Sequence, residues 1–311
     1  MVNNKSSICD VPGIRVGHFH VQAAKTGCSV VLPDQPAVAG VDVRGSAPGT
    51  RELELLHPVR LVKKVHAILL SGGSAFGLDA AGGVQHYLEE RGIGFDAGVA
   101  KVPIVPAAVI FDLAVGDASV RPDKSMGYNA CQGASKNFRA EGLIGAGCGA
   151  TVGKLLGMEF CSPGGVGTAS LKLAENVWVG ALSVVNALGE VVDENGNTIA
   201  GIRNPDGDGF LSSLDVLQKN SGDFGFHSTN TTLCVVATSA KLTKESATKV
   251  AQMAQDGLGR AIRPAHTMHD GDIVFALSTG DIEIDITIIG ALAAEVVAES
   301  IRRAVRAART I

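Results

Sequence analysis

The chain has 311 residues, of which 46% are hydrophobic and 4% aromatic, and its formal net charge is -4 at pH 7. This much apolar sequence can bury a sizeable core, as one large domain or two modest ones, and excludes an intrinsically disordered chain. The slightly acidic balance, with no basic block before residue 302, also excludes nucleic acid as an expected partner.

Apolar residues along the chain alternate between strand-like runs and helical stripes. Strands are predicted at residues 65–70, 104–113, 177–186, 232–238 and 273–278, and helices at residues 76–91, 243–259 and 288–309. Because the chain has 39 glycines and few aromatics, we expect a core of Val, Ile, Leu and Ala in which backbones approach closely. The four arginines between residues 302 and 309 are expected to form a solvated face of the last helix.

Residues 193–230 interrupt this alternation, because they are dense in Gly, Asn, Asp and Ser and follow neither period over most of their length. A loop of this length in a compact domain is usually functional or mobile, so we predict a mobile segment here. It ends in the polar run S-T-N-T-T, residues 228–232, at the mouth of a predicted strand.

A threonine at such a position can perform a specific chemistry. Its hydroxyl can attack the preceding carbonyl carbon, shift the acyl group from nitrogen to oxygen and, after hydrolysis, become part of a new N-terminal threonine. The freed α-amine, with a usual pKa of about 7.7–8.0, can then act as the base for the neighbouring hydroxyl. From these residues alone, an ordinary Ser/Thr-rich loop end remains the alternative.

Three familiar motifs are imitated but incomplete. Residues 72–76, G-G-S-A-F, lack the final glycine of a nucleophile elbow. Residues 145–154, G-A-G-C-G-A-T-V-G-K, have neither the spacing of a P-loop nor a well-placed acidic partner for a ribose. Nucleotide binding is therefore not expected.

The first 18 residues contain no apolar signal segment, and 18 apolar residues never run together, so we expect a cytoplasmic protein that does not bind membranes. The six cysteines lack C-x-x-C spacing, which predicts buried reduced thiols. His18 with His20, and His266 with His269, lack helical ligand spacing, so neither a metal nor another cofactor is expected.

Several segments, spread in order over nearly the whole chain, resemble one family. They are DVPGIRVGH (10–18), LLSGGSAFGLDAAGGVQHYLEERGIGF (69–95), KVPIVPAAVIFDL (101–113), GAGCGATVGK (145–154), NTTLCVVATSAKLT (230–243) and HDGDIVFALSTG (269–280). The family is that of the DmpA-like self-processing aminopeptidases. These N-terminal Ser/Thr hydrolases include β-peptidyl aminopeptidases and the endo-type nylon-oligomer hydrolase.

The resemblance implies an α+β fold, a four-layer αββα sandwich that is similar to Ntn hydrolases but differently connected, in a single catalytic domain. It also implies cleavage between Asn230 and Thr231, which would give a large chain of residues 1–230 and a small chain of residues 231–311. The family is usually a homotetramer of processed protomers, so we expect one here.

The resemblance assigns Thr231 as the nucleophile. Asp270 and Asp272 stand where the nylon-oligomer hydrolase branch has paired aspartates, and their role would be to hold the amine and hydroxyl of Thr231. Without the resemblance, D-G-D is typical of a turn before a strand.

Three further residues match site positions of the family. Asn186 matches an amide associated with the oxyanion site and Lys154 a site lysine, and both can donate hydrogen bonds to developing negative charge. Tyr128 matches a wall of the substrate pocket. By residue type alone, Asn186 could simply end a strand and Lys154 could be a surface lysine.

The chain departs from the aminopeptidase branch at one position. That branch carries an acidic residue for the substrate's free amine, where this chain has Ala107 and Ala108, and Asp112 is the nearest carboxylate. We therefore predict that N-acylated or internal amides are accepted about as well as substrates with a free amine.

Together these observations predict an amide hydrolase that cleaves itself and acts on small peptides or amides through an acyl-enzyme on Thr231. Two alternatives stay open. One is an acyltransferase of the ornithine acetyltransferase type, which also cleaves itself before a threonine. The other is an uncleaved, inactive relative that serves as a binding or scaffold protein.

Overall fold

The computed structural model describes residues 5–173, 176–219 and 230–309. In chain order its strands are β1 Ile14–Val21, β2 Thr26–Pro33, β3 Ala37–Val43, β4 Thr50–Arg51, β5 Lys64–Val65, β6 Ile68–Ser71, β7 Phe95–Asp96, β8 Lys101–Val102, β9 Ala107–Val109, β10 Thr151–Val152, β11 Ser162–Pro163, β12 Gly165–Lys172, β13 Trp178–Asn186, β14 Glu190–Val192, β15 Thr198–Ala200, β16 Ile202–Arg203, β17 Phe210–Leu211, β18 Thr231–Ala240, β19 Ile262–Arg263 and β20 Ile273–Ile282. Its helices are α1 Ala80–Glu89, α2 Lys124–Gln132, α3 Ser213–Lys219, α4 Lys244–Ala261 and α5 Ile286–Ala308.

Two large sheets lie face to face in the middle of the molecule. One has the strand order β1-β2-β6-β9-β4 and the other β12-β13-β18-β20-β3-β5. Helices α1 and α2 pack on the outer face of the first sheet, and α4 and α5 on the outer face of the second. One apolar cluster fills the space between the sheets, and one lies under each helix pair. This is the predicted αββα sandwich.

Close backbone packing explains much of the glycine content. A Cβ added to Gly40 in β3 would lie 2.2 Å from the backbone nitrogen of Thr248 in α4. One added to Gly167 in β12 would lie 2.0 Å from the carbonyl oxygen of Ser300 in α5. Both positions therefore have to be glycine for the helices to approach the sheet this closely, as the composition predicts.

The long periodic elements follow the prediction, whereas one predicted strand is much shorter. Thr243 accepts a hydrogen bond from the Ser246 amide and caps α4 as expected. The strand predicted at residues 104–113 reduces to β9, because Pro106 lies within the segment and cannot donate to a ladder.

Residues 193–219 contain more regular structure than the sequence predicts. They form β15, β16, β17 and α3, held by short two-stranded pairings whose registers cannot be read from periodicity. The predicted mobile segment also includes residues 220–229, which lie outside the described residues.

The expected solvated face of arginines on α5 is wrong for two of its members. Arg302 and Arg303 are 9% and 6% exposed. Arg302 Nε donates to the Val192 carbonyl oxygen at 3.1 Å, and Arg303 Nε to the Glu299 carboxylate at 2.8 Å, so hydrogen bonds compensate their burial.

All six cysteines are free thiols outside any disulfide, and five of them are buried while Cys161 is half-buried. Among the helices of the described ranges, none combines the length and apolarity needed to cross a bilayer. The homotetramer and the cytoplasmic location stay predictions of the sequence.

Candidate active site

Thr231 is the first residue of β18, the strand at the middle of the six-stranded sheet. Its Cα pairs with Asn186 at the end of β13, in an antiparallel ladder that runs to Thr238. On the other side β18 runs parallel to β20, and Asn230 forms an isolated bridge with Asp270 just before β20 begins. Thr231 therefore lies between two neighbouring strands, and it is buried, with 3% of its surface exposed.

The peptide bond between Asn230 and Thr231 is held from two directions. The Asn230 N–H donates to the His269 carbonyl oxygen at 2.8 Å, and the Gly271 N–H donates to the Asn230 carbonyl oxygen at 2.7 Å. The Thr231 Oγ1 hydroxyl donates to the same carbonyl oxygen. The Gly271 amide therefore polarises the carbonyl group that the Thr231 hydroxyl touches.

Residue 271 has to be glycine for this arrangement. A Cβ at Gly271 would lie 2.7 Å from Thr231 Oγ1 and 2.7 Å from the Ala47 carbonyl oxygen. Either contact is too short for a real side chain, so the D-G-D turn can approach the threonine only without one.

Asp272 is 2% exposed and links two segments around Thr231. Its Oδ1 accepts the N–H of Thr232 at 2.7 Å. Its Oδ2 accepts both the backbone N–H of His266 and its ring Nδ1–H, each at 2.9 Å, in the tautomer that protonates Nδ1. The carboxylate is thus fixed at the amide of the residue that follows Thr231.

Asp270 is 1% exposed and is bound by the turn that precedes it. It accepts the Thr267 N–H at 3.0 Å, the Thr267 hydroxyl, and the Leu188 N–H at 3.3 Å. Burial and the neighbouring Asp272 carboxylate raise the pKa of Asp270 above its usual range, while these donors oppose the rise. Two carboxylates therefore share one buried turn.

Lys154 and Asn186 lie on the other side of Thr231. Lys154 is 2% exposed, and its Nζ donates to Asn186 Oδ1 at 2.9 Å and to the Asn186 carbonyl oxygen at 3.0 Å. The Thr151 N–H donates to the same Oδ1 at 3.0 Å. Asn186 Nδ2 donates to the Phe111 carbonyl oxygen at 3.2 Å, so the amide orientation is determined by its partners.

The charge of Lys154 is sensitive to pH because the side chain is buried. Burial lowers the pKa of its ammonium to about 7, and the nearby Cys161, Asp270 and Asp112 only partly offset that effect. The interaction with Asp270 also connects the lysine to the acidic side of Thr231. Lys154 is therefore not the surface lysine that its residue type alone allows.

Two residues considered from the sequence are placed differently. Tyr128 lies on α2, where its hydroxyl donates to Glu90 at 2.8 Å and its ring packs against Tyr87 of α1. The structure does not bring it together with Thr231. Asp112 is 2% exposed and accepts the Gly73 N–H and the Thr26 hydroxyl, each at 2.7 Å.

Sequence reasoning missed His266 and Gly271. His266 has a φ of 58°, in the left-handed region, which turns both its N–H and its ring toward Asp272. Sequence spacing was tested for this histidine only as a metal ligand. Its position four residues before D-G-D was the available signal, but spacing alone does not specify a left-handed turn.

Comparisons with known proteins identify the family of the chain. A sequence model of peptidase family S58 matches residues 6–311. An uncharacterised aminopeptidase of Mycobacterium tuberculosis strain H37Rv is 42% identical, over 95% of this chain and 92% of its own. A 6-aminohexanoate-oligomer endohydrolase of Kocuria sp. strain KY2 is 29% identical, over 96% of this chain and 85% of its own.

Two solved structures share the fold. A beta-aminopeptidase of Burkholderia sp. superposes with a TM-score of 0.71 at 24% identity, over 99% of this chain and 88% of its own. The L-aminopeptidase D-Ala-esterase/amidase of Ochrobactrum anthropi, described as a new variant among the Ntn hydrolase fold, gives 0.72 at 17% identity, over the same shares. The family match and the identity to the mycobacterial aminopeptidase confirm the resemblance: the chain is a hydrolase and belongs to peptidase family S58.

Proposed function

We propose that this protein is a self-cleaving N-terminal-threonine hydrolase that acts on amide bonds of small peptides or amides through an acyl-enzyme on Thr231. The observation that carries the proposal is the environment of the Asn230–Thr231 bond. The Thr231 hydroxyl contacts the Asn230 carbonyl oxygen, and the Gly271 N–H donates to that oxygen at 2.7 Å.

The first step is an acyl shift within the chain. Thr231 Oγ attacks the Asn230 carbonyl carbon, and the Gly271 N–H stabilises the negative charge on the carbonyl oxygen. The C–N bond then breaks, the hydroxyl proton passes to the Thr231 nitrogen, and an ester joins Asn230 to Thr231 Oγ. Water hydrolyses the ester, which leaves an Asn230 carboxylate, a free hydroxyl and an α-amine on Thr231.

The freed threonine then repeats this chemistry on a substrate. Its neutral α-amine takes the hydroxyl proton as Oγ attacks the substrate carbonyl carbon. The amine product leaves with a proton, and water hydrolyses the acyl-enzyme. The Gly271 N–H, which binds the Asn230 carbonyl before cleavage, is then available to the substrate's carbonyl oxygen.

The charges around Thr231 favour both charged groups that the reaction forms, the protonated amine and the negative carbonyl oxygen. The buried carboxylates of Asp270 and Asp272 favour a positive charge on the Thr231 amine. On the other side the Lys154 ammonium favours negative charge on the substrate oxygen, while Asn186 orients the lysine through the 2.9 Å contact.

Two isosteric variants of adjacent residues test the proposal. Thr231→Val removes the hydroxyl, so the chain should stay intact and hydrolyse no amide. Thr232→Val is the matched control, because Thr232 is also buried and its hydroxyl has no hydrogen-bond partner in the described part of the chain. Denaturing gels and hydrolysis of an amino-acid anilide provide the readouts.

The control should be cleaved and active like the wild type. If Thr231→Val is cleaved at the same bond, or if both variants hydrolyse the anilide equally, the threonine hydroxyl is not the nucleophile.

A further inference from the structure

A cavity of about 390 Å³ lies behind the Lys154 side of the site. Its wall includes Thr151, whose N–H donates to Asn186 Oδ1 at 3.0 Å. The wall also includes Cys161, which interacts electrostatically with Lys154, as Asp270 does. Lys154 is thus influenced by the cavity wall as well as by the carboxylate beside Thr231.

The charged groups that line this cavity are both cationic. They are Lys25 and Arg203, and no carboxylate is among the lining side chains of the described residues. Arg203 donates from Nε to the Cys161 carbonyl oxygen at 3.2 Å and from Nη2 to the Glu159 carbonyl oxygen. Neither cation forms an ion pair with a carboxylate of the described residues.

The cations also affect the pKa values of the two thiols in the cavity wall, Cys148 and Cys161. Burial raises the pKa of Cys148 and Cys161. At Cys148, Lys25 opposes the rise and the Asp112 carboxylate adds to it, whereas at Cys161 Lys154 and Arg203 oppose it. Lys25 ends the short helical turn Gln22–Ala24 in a left-handed conformation with a φ of 55°.

Within residues 5–173, 176–219 and 230–309, the cavity wall contains no carboxylate that could pair with an ammonium. Ala107 and Ala108 are fully buried and apolar. Asp112 is already bound by the Gly73 N–H and the Thr26 hydroxyl, at 2.7 Å each. The rest of the cavity wall is largely apolar, with Leu143 and Met158 among its members.

We propose that this cavity is a substrate subsite for a short apolar chain that ends in a carboxylate, and that Lys25 and Arg203 bind the carboxylate. The inference rests on the proposed amide hydrolysis at Thr231, since it names the substrate class of that site. A carboxylate between two cations gains charge-assisted hydrogen bonds, whereas an ammonium in the same place is repelled by both.

The test compares kcat/KM for matched substrates. On the acyl side these are glutaryl para-nitroanilide and its terminal carboxamide and terminal amine analogues. On the amine side they are butanoyl amides of para-aminobenzoate and para-aminobenzamide. In one of the two series the carboxylate should be preferred about tenfold over the carboxamide, the scale of one charge-assisted contact.

Variants assign the preference to the two cations. Lys25→Gln and Arg203→Gln should each remove most of the preference, while Lys25→Arg should retain it. Lys249→Gln is the matched control, because Lys249 is exposed on α4 and does not line the cavity. Thermal midpoints show whether loss of the Arg203 backbone contacts has unfolded the cavity wall.

The outcomes separate this inference from the proposed function. A cleaved enzyme that hydrolyses carboxylate and carboxamide substrates equally in both series, or whose preference survives both Gln variants, overturns the carboxylate subsite alone. A chain that stays intact and hydrolyses none of these compounds removes the proposed function. Calorimetric binding of glutaryl para-nitroanilide to the wild type and the two Gln variants then decides whether the cavity binds the carboxylate.

Discussion

The two sides of Thr231 differ in charge and in their position along the chain. The acidic side, Asp270 and Asp272, follows the Asn230–Thr231 bond in sequence, whereas the basic side, Lys154 and Asn186, precedes it. Each side is bound mainly to its own segment: Asp270 by Thr267, and Lys154 by Asn186. A site with both charges therefore needs both parts of the chain.

The ladder between β13 and β18 would hold such a site together after the proposed cleavage. Eight Cα pairs join the strands, from Asn186 with Thr231 to Val179 with Thr238. Because β18 also pairs with β20 in the middle of the sheet, the segment after residue 230 is held by packing and hydrogen bonds on both sides. Cutting one peptide bond at its start leaves those contacts in place.

Lys154→Met is the change with the largest expected effect on the basic side. It removes the one ammonium beside Asn186 among the described residues while keeping the length of the side chain. We expect kcat for an amide substrate to fall by about 10²- to 10³-fold, the scale of losing a positioned donor to an oxyanion. Steady-state kinetics with an anilide measures it, and an unchanged kcat would show that the basic side is only structural.

Lys154→Met should lower activity but not stability, because the buried ammonium of the wild type destabilises the folded state at neutral pH. The Lys154 pKa is about 7 when folded against an ordinary 10.5, so between these values the unfolded chain binds one proton more. Through Lys154, the free energy of unfolding of the wild type therefore rises with pH between about pH 7 and 10.5, by at most about 1.4 kcal/mol per pH unit. Below pH 7 the cost of burying the charge is fully present, and above 10.5 it is gone.

Urea unfolding of wild type and Lys154→Met across this range measures that slope. The difference between them isolates Lys154, because other groups titrate in both proteins. The Met variant should be at least as stable as the wild type near pH 7, since replacing a buried charge by an apolar side chain is often stabilising. Parallel curves for the two proteins would place the Lys154 pKa at its ordinary value.

Asp→Asn changes test the acidic side. Asp270→Asn and Asp272→Asn should keep the fold and lower kcat by about 10²-fold, because each removes a negative charge from beside the Thr231 amine. Asp256→Asn, on the exposed surface of α4, is the control and should have little effect. Equal activity of all three variants would make the aspartates ordinary turn residues.

His266 provides a further test of the acidic side, because its backbone N–H and its ring both donate to Asp272. His266→Gly keeps the left-handed backbone but removes the ring that donates to Asp272 at 2.9 Å. We expect kcat to fall by about tenfold with little change in KM, as for a lost hydrogen bond to a charged group. His266→Asn should recover part of the activity, because Asn tolerates this backbone and can donate to the carboxylate.

The control for His266 is His57→Asn, at an exposed position. The pH profile of kcat should also change in His266→Gly if the ring positions Asp272. An unaltered profile together with wild-type kcat would limit the histidine to shaping the turn.

N-acetylation of the substrate should have the smallest effect. With Ala107 and Ala108 in β9 and Asp112 already bound, none of these three positions offers an unbound carboxylate to a free amine. Acetylation should therefore change kcat/KM for an amino-acid anilide or a short β-peptide amide by less than about threefold. If acetylation abolished turnover, a free amine would be recognised after all, with Asp112 as the first candidate.

The sequence was most informative where a periodic pattern is long. The helix predicted at residues 288–309 is α5, Ile286–Ala308, and the strand predicted at residues 273–278 begins β20. Strands β1, β2 and β12 were not predicted, because their alternation is obscured by Gly, His and Ser at positions that pack against helices or other strands.

The residues of the site also fall into those that the sequence identified and those that only the structure revealed. The family resemblance identified Thr231, Asn186, Lys154, Asp270 and Asp272 as site residues, and the structure places them close together. The roles of Gly271 and His266 depend on turn conformations and on contacts with residues far away in sequence, such as Ala47. The position of His266 four residues before D-G-D is the one signal in the sequence, and spacing alone does not specify these contacts.

Intact-protein mass spectrometry of the purified wild type, after incubation at neutral pH, tests the central claim most directly. We predict two species, residues 1–230 and 231–311, whose masses sum to that of the whole chain plus one water, with Thr-Thr-Leu-Cys-Val at the N-terminus of the smaller. A single species with the mass of all 311 residues would contradict the account.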